Sequence, residues 1–533
     1  MFRLWLSLNL ASLDLPCDDP SPIGPGIYQT DPWNRTPLFV VEGSIVRSWG
    51  EAYALHGRPT LQDVNPDYVR SLITCQPNSD ISPYKKIIRI PRSCFLLNDR
   101  NCQYRVHPYK PFMHGAPKME ESTLYDFIRE KIHLSLLDSI GNLNPNIACE
   151  HTSGLDSNAI LGSLLFGLGI SRDRIHTLTW TGTVDDDYMP EIRGHFRLDD
   201  KQCHELDASL PFDSFDEIKS KFNENLTIFG CPPQVGDGDT ADSKLLHHNN
   251  CEILFSGFGG DQALSHHGIN VGTDIADLSQ WKLFYKWYGS KCFPLKQFLS
   301  RCLAKRSARW AKSKNTLNYR SEIGSDNLLV NSLTSEGLKW FNSSFESSYE
   351  WECDGFSPQR IAIRNRVFAD WVSLRVEDES RSAQFFGIRK NFPLLDEVLI
   401  ATLLNQDPLL FCPSFKKSDY RSMIKNSFDV YYPPLFDGLV HKTRNPPGGW
   451  EQFLQKECSM LAQSIQLIAP ELDHLHPLIC RLWSIDDLKS QVNRFMGCEL
   501  LPVRVKLARA RSVSDSLYCL SALNNWFNCL SDS

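Results

Sequence analysis

The stretch at 146–164, NIACEHTSGLDSNAILGSL, constrains the fold of this chain more than any other. Ile147, Ala148 and Cys149 form a short apolar run that reads as the end of a buried strand. Ala159, Ile160, Leu161, Leu164 and Leu165 then recur at helical spacing. Between these runs lie Thr152, Ser153 and Gly154, with Leu155, Asp156 and Ser157 opening the helix. A strand, a tight polar turn and a helix aim backbone N–H groups and a helix N-terminus at one point, which suits an anion. Two hydroxyls, a glycine and a carboxylate there point to phosphate together with a metal ion. The same residues also suit an ordinary helix cap, with Ser153 or Asp156 satisfying the free N–H groups.

A second stretch repeats the design. After Ile253, Leu254 and Phe255 comes the turn Ser256-Gly257-Phe258-Gly259-Gly260-Asp261-Gln262. Asp156 and Asp261, from two strand ends, can share one Mg2+ over a triphosphate. The plainer alternative is a tight strand-to-helix turn with Asp261 as its cap. IHTLTW (175–180) reads as a further strand, with Thr179 on it and Asp185, Asp186 and Asp187 at its exit. TLYDFIREKIHLSLLDSIG, just before the first stretch, is an amphipathic helix. Strands separated by helical stretches predict an α/β fold with a parallel sheet and its ligands at the strands' carboxyl ends.

Residues 1–118 read as a smaller β-rich, turn-rich unit, with a helix in VNPDYVRSLI and hairpin strands around 98–101. Residues 119–533 form the larger domain, mainly helical beyond 269. A net charge of −7 excludes a global field favouring nucleic acid, so a phosphate ligand needs local cations. The 17 cysteines form no CxxC pair and read as buried thiols in a reducing compartment. No run of apolar residues is long enough to span a membrane, and MFRLWLSLNLASL alternates like a first strand rather than a signal peptide. A cytoplasmic protein is expected. The basic run at 305–314 reads as a solvated face, and the adjacent His266 and His267 point apart on a helix.

The turn T-S-G-L-D-S at 152–157 resembles the pyrophosphate loop S-G-G-x-D-S of ATP pyrophosphatases. With the second motif the chain resembles the synthetase domain of the asparagine synthetase-like family, which includes β-lactam synthetase and lasso peptide cyclases; that family's second motif is S-G-x-G-x-D-E/Q. Arg375-Val376-Glu377-Asp378, Gly387-Ile388 and Phe392-Pro393-Leu394-Leu395-Asp396 are similar to its helix and G-V-E-x-R-x-P-F-L-D segment. Lys417 to Arg421 is similar to its K-x-x-x-R, and His441-Lys442-Thr443-Arg444 to a later basic segment.

The resemblance implies an ATP-pyrophosphatase-type parallel sheet preceded by a glutaminase-like remnant. ATP and Mg2+ would be held by Thr152, Ser153, Gly154, Leu155, Asp156, Ser157, Thr179, Ser256, Gly257, Phe258 and Gly259, with Asp156 and Asp261 on the metal. Lys417 would stabilise charge at the α-phosphate or the departing pyrophosphate; the family spacing to Arg421 selects it over the adjacent Lys416, and an ordinary surface lysine is the competing reading. Glu377, Asp378 and Glu379 are candidates for the base that deprotonates an attacking amine; a solvated helix face paired with Arg375 and Arg381 is the competing reading. Glu150 and His151 beside the loop stand between nucleotide contact and strand-end packing.

Departures sharpen the expectation. Phe2 stands where glutamine-using members carry a catalytic cysteine, so glutaminase activity is expected to be absent. Phe258 stands where asparagine synthetases carry Glu, and phenylalanine transfers no proton. Ser153 adds a Cβ where glycine is usual. The expected activity is adenylation of a carboxylate followed by amide formation, with macrolactam closure in a lasso peptide precursor fitting best. A leader-binding protein and a leader peptidase would be its partners. Another amide ligase of the family acting on a small molecule, an ammonia-dependent asparagine synthetase (disfavoured by Phe258), and a non-catalytic nucleotide-binding descendant are the alternatives.

Overall fold

The computed structural model describes residues 26–35, 37–57, 59–74, 77–98, 104–108, 118–141, 145–181, 189–207, 212–235, 240–264, 282–283, 328–341, 363, 366–413, 421–432, 449–496 and 502–531. Of the residues singled out above, Phe2, Asp185, Asp186, Asp187, His266, His267, Lys416, Lys417, the 441–444 segment and the basic run lie outside them.

Two small antiparallel sheets come first. One joins β1 (Gly26–Gln29), β5 (Cys94–Asn98) and β6 (Tyr104–Pro108), and the other joins β2 (Phe39–Val41), β3 (Ser44–Val46) and β4 (Ile87–Arg89). The β2–β3 hairpin turns on Glu42 and Gly43, both at positive φ (50° and 81°), the conformation whose twist suits a two-residue hairpin. Val40 and Ile45 face Cys94 and Leu96 of the other sheet. Phe39, Val41, Val46 and Ile87 point the opposite way and share a core with the C-terminal helices through Ile465, Leu517 and Trp526.

The larger part is α/β. A five-stranded, wholly parallel sheet runs in the order β11 (Arg389–Asn391), β10 (Cys251–Phe255), β7 (Asn146–Glu150), β8 (Ile175–Thr181), β9 (Cys203–Asp207). The chain lays down β7, β8 and β9 in one direction and then crosses back to β10. The reversal leaves a crevice between the carboxyl ends of β7 and β10, the position where open α/β sheets bind ligands.

Both faces are covered. On one, Ile147, Cys149, Ile253 and Phe255 pack under α1 (Glu121–Ile140) and α2 (Leu155–Gly162). Helix α1 offers Leu124, Ile128, Ile132, Leu136 and Ile140, an i, i+4 stripe that is fully buried; each such side chain contributes about 2 kcal/mol of burial. On the other face, Ala148, Leu178 and Leu254 meet α3 (Ala241–His248) and α4 (Asp370–Phe385) through Leu246 and Ala383. No helix among the described residues is long and apolar enough to cross a membrane.

Helix α4 joins the small sheets to the large one. Arg89 of β4 forms an ion pair with Glu377, which also accepts Trp49 Nε1–H at 3.1 Å. Arg92 pairs with Asp370 at 2.7 Å, and Ser79 Oγ donates to the same carboxylate. The Arg89 and Glu377 side chains are 3% and 2% exposed. Removing one partner of such a pair strands a charge in the interior. Arg89→Met should therefore lose about 3–5 kcal/mol in urea unfolding, and Arg89→Met/Glu377→Gln should recover much of that loss; equal stability of single and double variants would refute the pairing.

Candidate functional site

The first loop leaves β7 at Glu150 and extends the sheet by one residue, His151 N–H donating to Leu178 O at 2.8 Å. It is then tied by its own polar groups. Thr152 Oγ1 accepts Gly154 N–H at 3.0 Å, and Ser157 Oγ accepts Thr152 N–H at 3.2 Å. Asn158 Nδ2 donates to the Thr152 and Gly154 carbonyls at 2.8 and 2.7 Å. That fixes the Asn158 amide, so its Oδ1 accepts from His151 Nε2 at 3.3 Å.

Helix α2 starts at Leu155 with Gly154 as its N-cap, and no side chain caps it. The N-cap position is thus a glycine, which has no side chain to cap the first turn. Ser153 is half-buried and does not have positive φ, so the loop needs no glycine there.

The second loop leaves β10 and lands on the first. A Cβ at Gly257 would lie 2.9 Å from Ser157 N, and one at Gly260 would run into the Asp156 carboxylate. Gly259 takes φ 101°, a backbone that L side chains avoid, with Leu395 packed against it. The glycines thus let two polypeptide turns touch, and they bring Thr152, Ser153, Gly154, Leu155, Asp156 and Ser157 together with Ser256, Gly257, Phe258, Gly259 and Asp261. Asp261 is half-exposed and pairs with Arg421 Nη2 at 2.9 Å. Arg421 itself sits at φ 62°, a left-handed conformation that costs about 1 kcal/mol for a non-glycine residue. Thr179 lies on the neighbouring strand, where its hydroxyl accepts Arg193 Nη2 at 3.3 Å.

A buried cation holds the second loop in place. Lys390 of β11 reaches Glu150 at 2.6 Å, Glu379 at 2.9 Å and Asp242 at 3.6 Å, with 3% of its side chain exposed. Burial opposes its charge, but the three carboxylates outweigh burial and raise its pKa. The other Glu150 oxygen accepts from Ser256 Oγ, which in turn accepts Phe258 N–H at 3.1 Å.

Phe258 is half-buried, edge-on to Trp371 (5.8 Å) and Phe392 (6.1 Å), with the Arg375 guanidinium 4.4 Å above its ring. Arg375, Lys390 and Arg193 carried no site role in the sequence reading. Arg375 sits four residues from Trp371 and from Glu379 on one helix stripe, a spacing visible in the sequence; Lys390 lies in a charged tripeptide that gave no strand signal.

The three acidic candidates of α4 part company. Glu377 is locked in the joint with Arg89 and Trp49. Burial, with Glu377 next to it, pushes the Asp378 carboxyl well above the usual range. Glu379 is buried too, but Lys390 and Arg375 hold it ionised below that range. Neither ion-paired carboxylate is a good proton acceptor.

Among the described residues no three His, Cys, Asp or Glu side chains cluster as a metal centre. Asp156 and Asp261, hard oxygen donors on adjoining loops, fit Mg2+ that takes the rest of its shell from phosphate oxygens and water.

Burial pushes the His151 imidazole down to about 4, from 6.5. The unfolded chain takes the proton first, so the neutral ring's contribution is complete above pH 6.5 and is lost as pH falls through 4. Unfolding measured in urea should therefore show about 3 kcal/mol lost over that interval, and His151→Gln should flatten this part of the profile; an unchanged profile would contradict the assignment. Set against known proteins, the chain matches no family model and no curated sequence, so the chemistry rests on this geometry.

Proposed function

We propose that this chain is an ATP- and Mg2+-dependent ligase of the asparagine synthetase-like kind, with an ATP-pyrophosphatase-type nucleotide site. It adenylates a carboxylate and joins it to an amine as an amide. The contact of the two loops across the crevice, Gly257 on the backbone of Ser157 and Gly260 on Asp156, carries this reading. Two anion-ready turns from adjacent strands of opposite crossover direction make one site for a polyphosphate.

The backbone N–H groups at the start of α2, with Thr152 and Ser157, bind phosphate oxygens, while Thr179 lies on the nucleotide side. Asp156 and Asp261 hold Mg2+, which when bound neutralises phosphate charge. The substrate carboxylate attacks the α-phosphorus, the bond to the bridging oxygen breaks, and pyrophosphate leaves with the electron pair. An amine then attacks the acyl carbon and AMP leaves. Lys417 is the proposed cation for the departing charge.

Phe258 favours an amine that needs no acid at this position. That supports macrolactam closure, in which the peptide's own N-terminal amine attacks the activated Asp or Glu side chain, with a leader-binding protein and a leader peptidase as partners. The unit at 1–118 is read as a glutaminase-like remnant.

Incubation with ATP, Mg2+, hydroxylamine and peptides bearing one Asp or Glu should release AMP and pyrophosphate in equal amounts. Asp156→Asn and Asp261→Asn should each lower that release by about 100-fold or more. Turnover that persists in the double variant sinks the metal assignment, and nucleotide binding without pyrophosphate from any donor favours a non-catalytic protein.

A further inference from the structure

Asn158 is the fourth residue of α2, between Ser157 and Ala159, and it is fully buried. Asparagine is a poor helix former, because its amide competes for backbone groups. Burying that amide is costly unless it is hydrogen-bonded. Here both of its polar atoms are engaged. Nδ2 donates to the Thr152 carbonyl at 2.8 Å and to the Gly154 carbonyl at 2.7 Å, which uses both hydrogens, and Oδ1 accepts from His151 Nε2 at 3.3 Å.

The two carbonyls orient the N–H groups that follow them. A trans peptide unit is planar, and its N–H points opposite to its C=O; among the described residues no peptide bond is cis. With the Thr152 carbonyl drawn to Asn158, the Ser153 N–H points away from the buried amide. The Gly154 carbonyl does the same for the Leu155 N–H. Turn types I and II differ by turning one peptide plane over. The Thr152–Ser153 plane can turn likewise unless it is tied, and a carbonyl oxygen would then stand where an anion needs a donor. Ser157 Oγ is a weaker tie, since its single hydrogen serves Thr152 O at 3.2 Å, Gly154 O at 3.2 Å or Thr152 Oγ1 at 3.1 Å.

Resting on the adenylation reading above, we propose that Asn158 is a positioning residue for the nucleotide: it turns two peptide planes of the first loop so that the Ser153 and Leu155 N–H groups meet phosphate oxygens, and His151 holds it in that orientation. His151 is seated on the sheet by its own N–H, which donates to Leu178 O at 2.8 Å, and Phe196 stands edge-on to its ring at 6.0 Å. Burial pushes its pKa down to about 4, so the ring is neutral at pH 7. Its Nδ1 has no partner among the described residues, so Asn158 selects the Nε2–H tautomer. With that N–H against Oδ1, the amide cannot turn over without setting donors face to face on one side and three oxygens together on the other.

The test uses the full chain with Mg2+ and measures the Kd of ATP and of adenosine, then pyrophosphate release with peptides bearing one Asp or Glu. Asn158→Leu removes both donors at similar volume. It should raise the ATP Kd about 10- to 100-fold, the range for losing a hydrogen bond to a charged group, with the adenosine Kd within about twofold. His151→Leu should act in the same direction by about tenfold or less, and His151→Gln, whose amide still donates to Asn158 Oδ1, should restore most of that loss. The His151 pair reads the same effect if Asn158→Leu does not fold. An unchanged ATP Kd in His151→Leu, and in Asn158→Leu where it folds, overturns the positioning role. A parallel loss of adenosine affinity overturns it in favour of a structural role. Equal defects in His151→Leu and His151→Gln overturn the part given to His151. ATP binding by the wild-type chain without pyrophosphate from any peptide overturns the adenylation reading but leaves the Kd series standing, because that series needs no acyl donor.

Discussion

One buried ammonium group organises the carboxyl edge of the sheet. Lys390 lies on strand β11, and its three carboxylate partners come from the end of β7, from α3 and from α4. Four elements, two of them consecutive in sequence, therefore meet on one charge. Burying an ammonium is costly, and the cost is offset only when several carboxylates surround it at good geometry. The network extends through Glu150 to Ser256 and on to the N–H of Phe258. The conformation of the second loop, and thus its contact with the first, depends on an ion cluster beneath it.

Much of this was legible in the sequence, for definite physical reasons. Strands β7, β8 and β10 are interior to the sheet and covered on both faces, so they appear as apolar runs, and the turns after β7 and β10 need small residues because they touch. The amphipathic stripe of α1 is equally plain. The two strands that gave no signal, CHELD and RKN, are the sheet's edges. An edge strand has a neighbour on one side only and can be short and charged, so periodicity does not reveal it. Lys390 was invisible for the same reason: its burial follows from partners on three other elements.

Helix α4 shows why its acidic run could not be sorted from sequence. Asp370, Glu377 and Arg381 lie on the side that meets the small sheets, with Arg381 over Trp49 and donating to the Ile228 and Phe229 carbonyls. Trp371, Arg375 and Glu379, at i, i+4 and i+8, lie on the side that meets Phe258 and Lys390. Consecutive acids at 377, 378 and 379 thus fall into a joint, an apolar interior and an ion cluster. The joint also holds the helix in rotation, since turning it would break the Arg89–Glu377 pair and swing Arg375 off the Phe258 ring together.

The arrangement constrains the amine. With Glu377 and Glu379 committed to cations, Asp378 in an interior that opposes its charge and phenylalanine at 258, these three acids of α4 offer the proposed reaction no exposed proton acceptor. A lysine side-chain amine, with a pKa near 10.4, would arrive almost wholly protonated and need such an acceptor. An N-terminal α-amine, near 7.7–8.0, is already neutral in roughly a tenth to a sixth of molecules at pH 7. The loss in rate from that fraction is about tenfold or less, well within what holding amine and acyl group together in one folded peptide can supply. Among the described residues of α4 the shortage of exposed bases therefore favours, within the proposed reaction, the peptide's own α-amine over an external alkylamine, and it does so from the charges present rather than from the two loops.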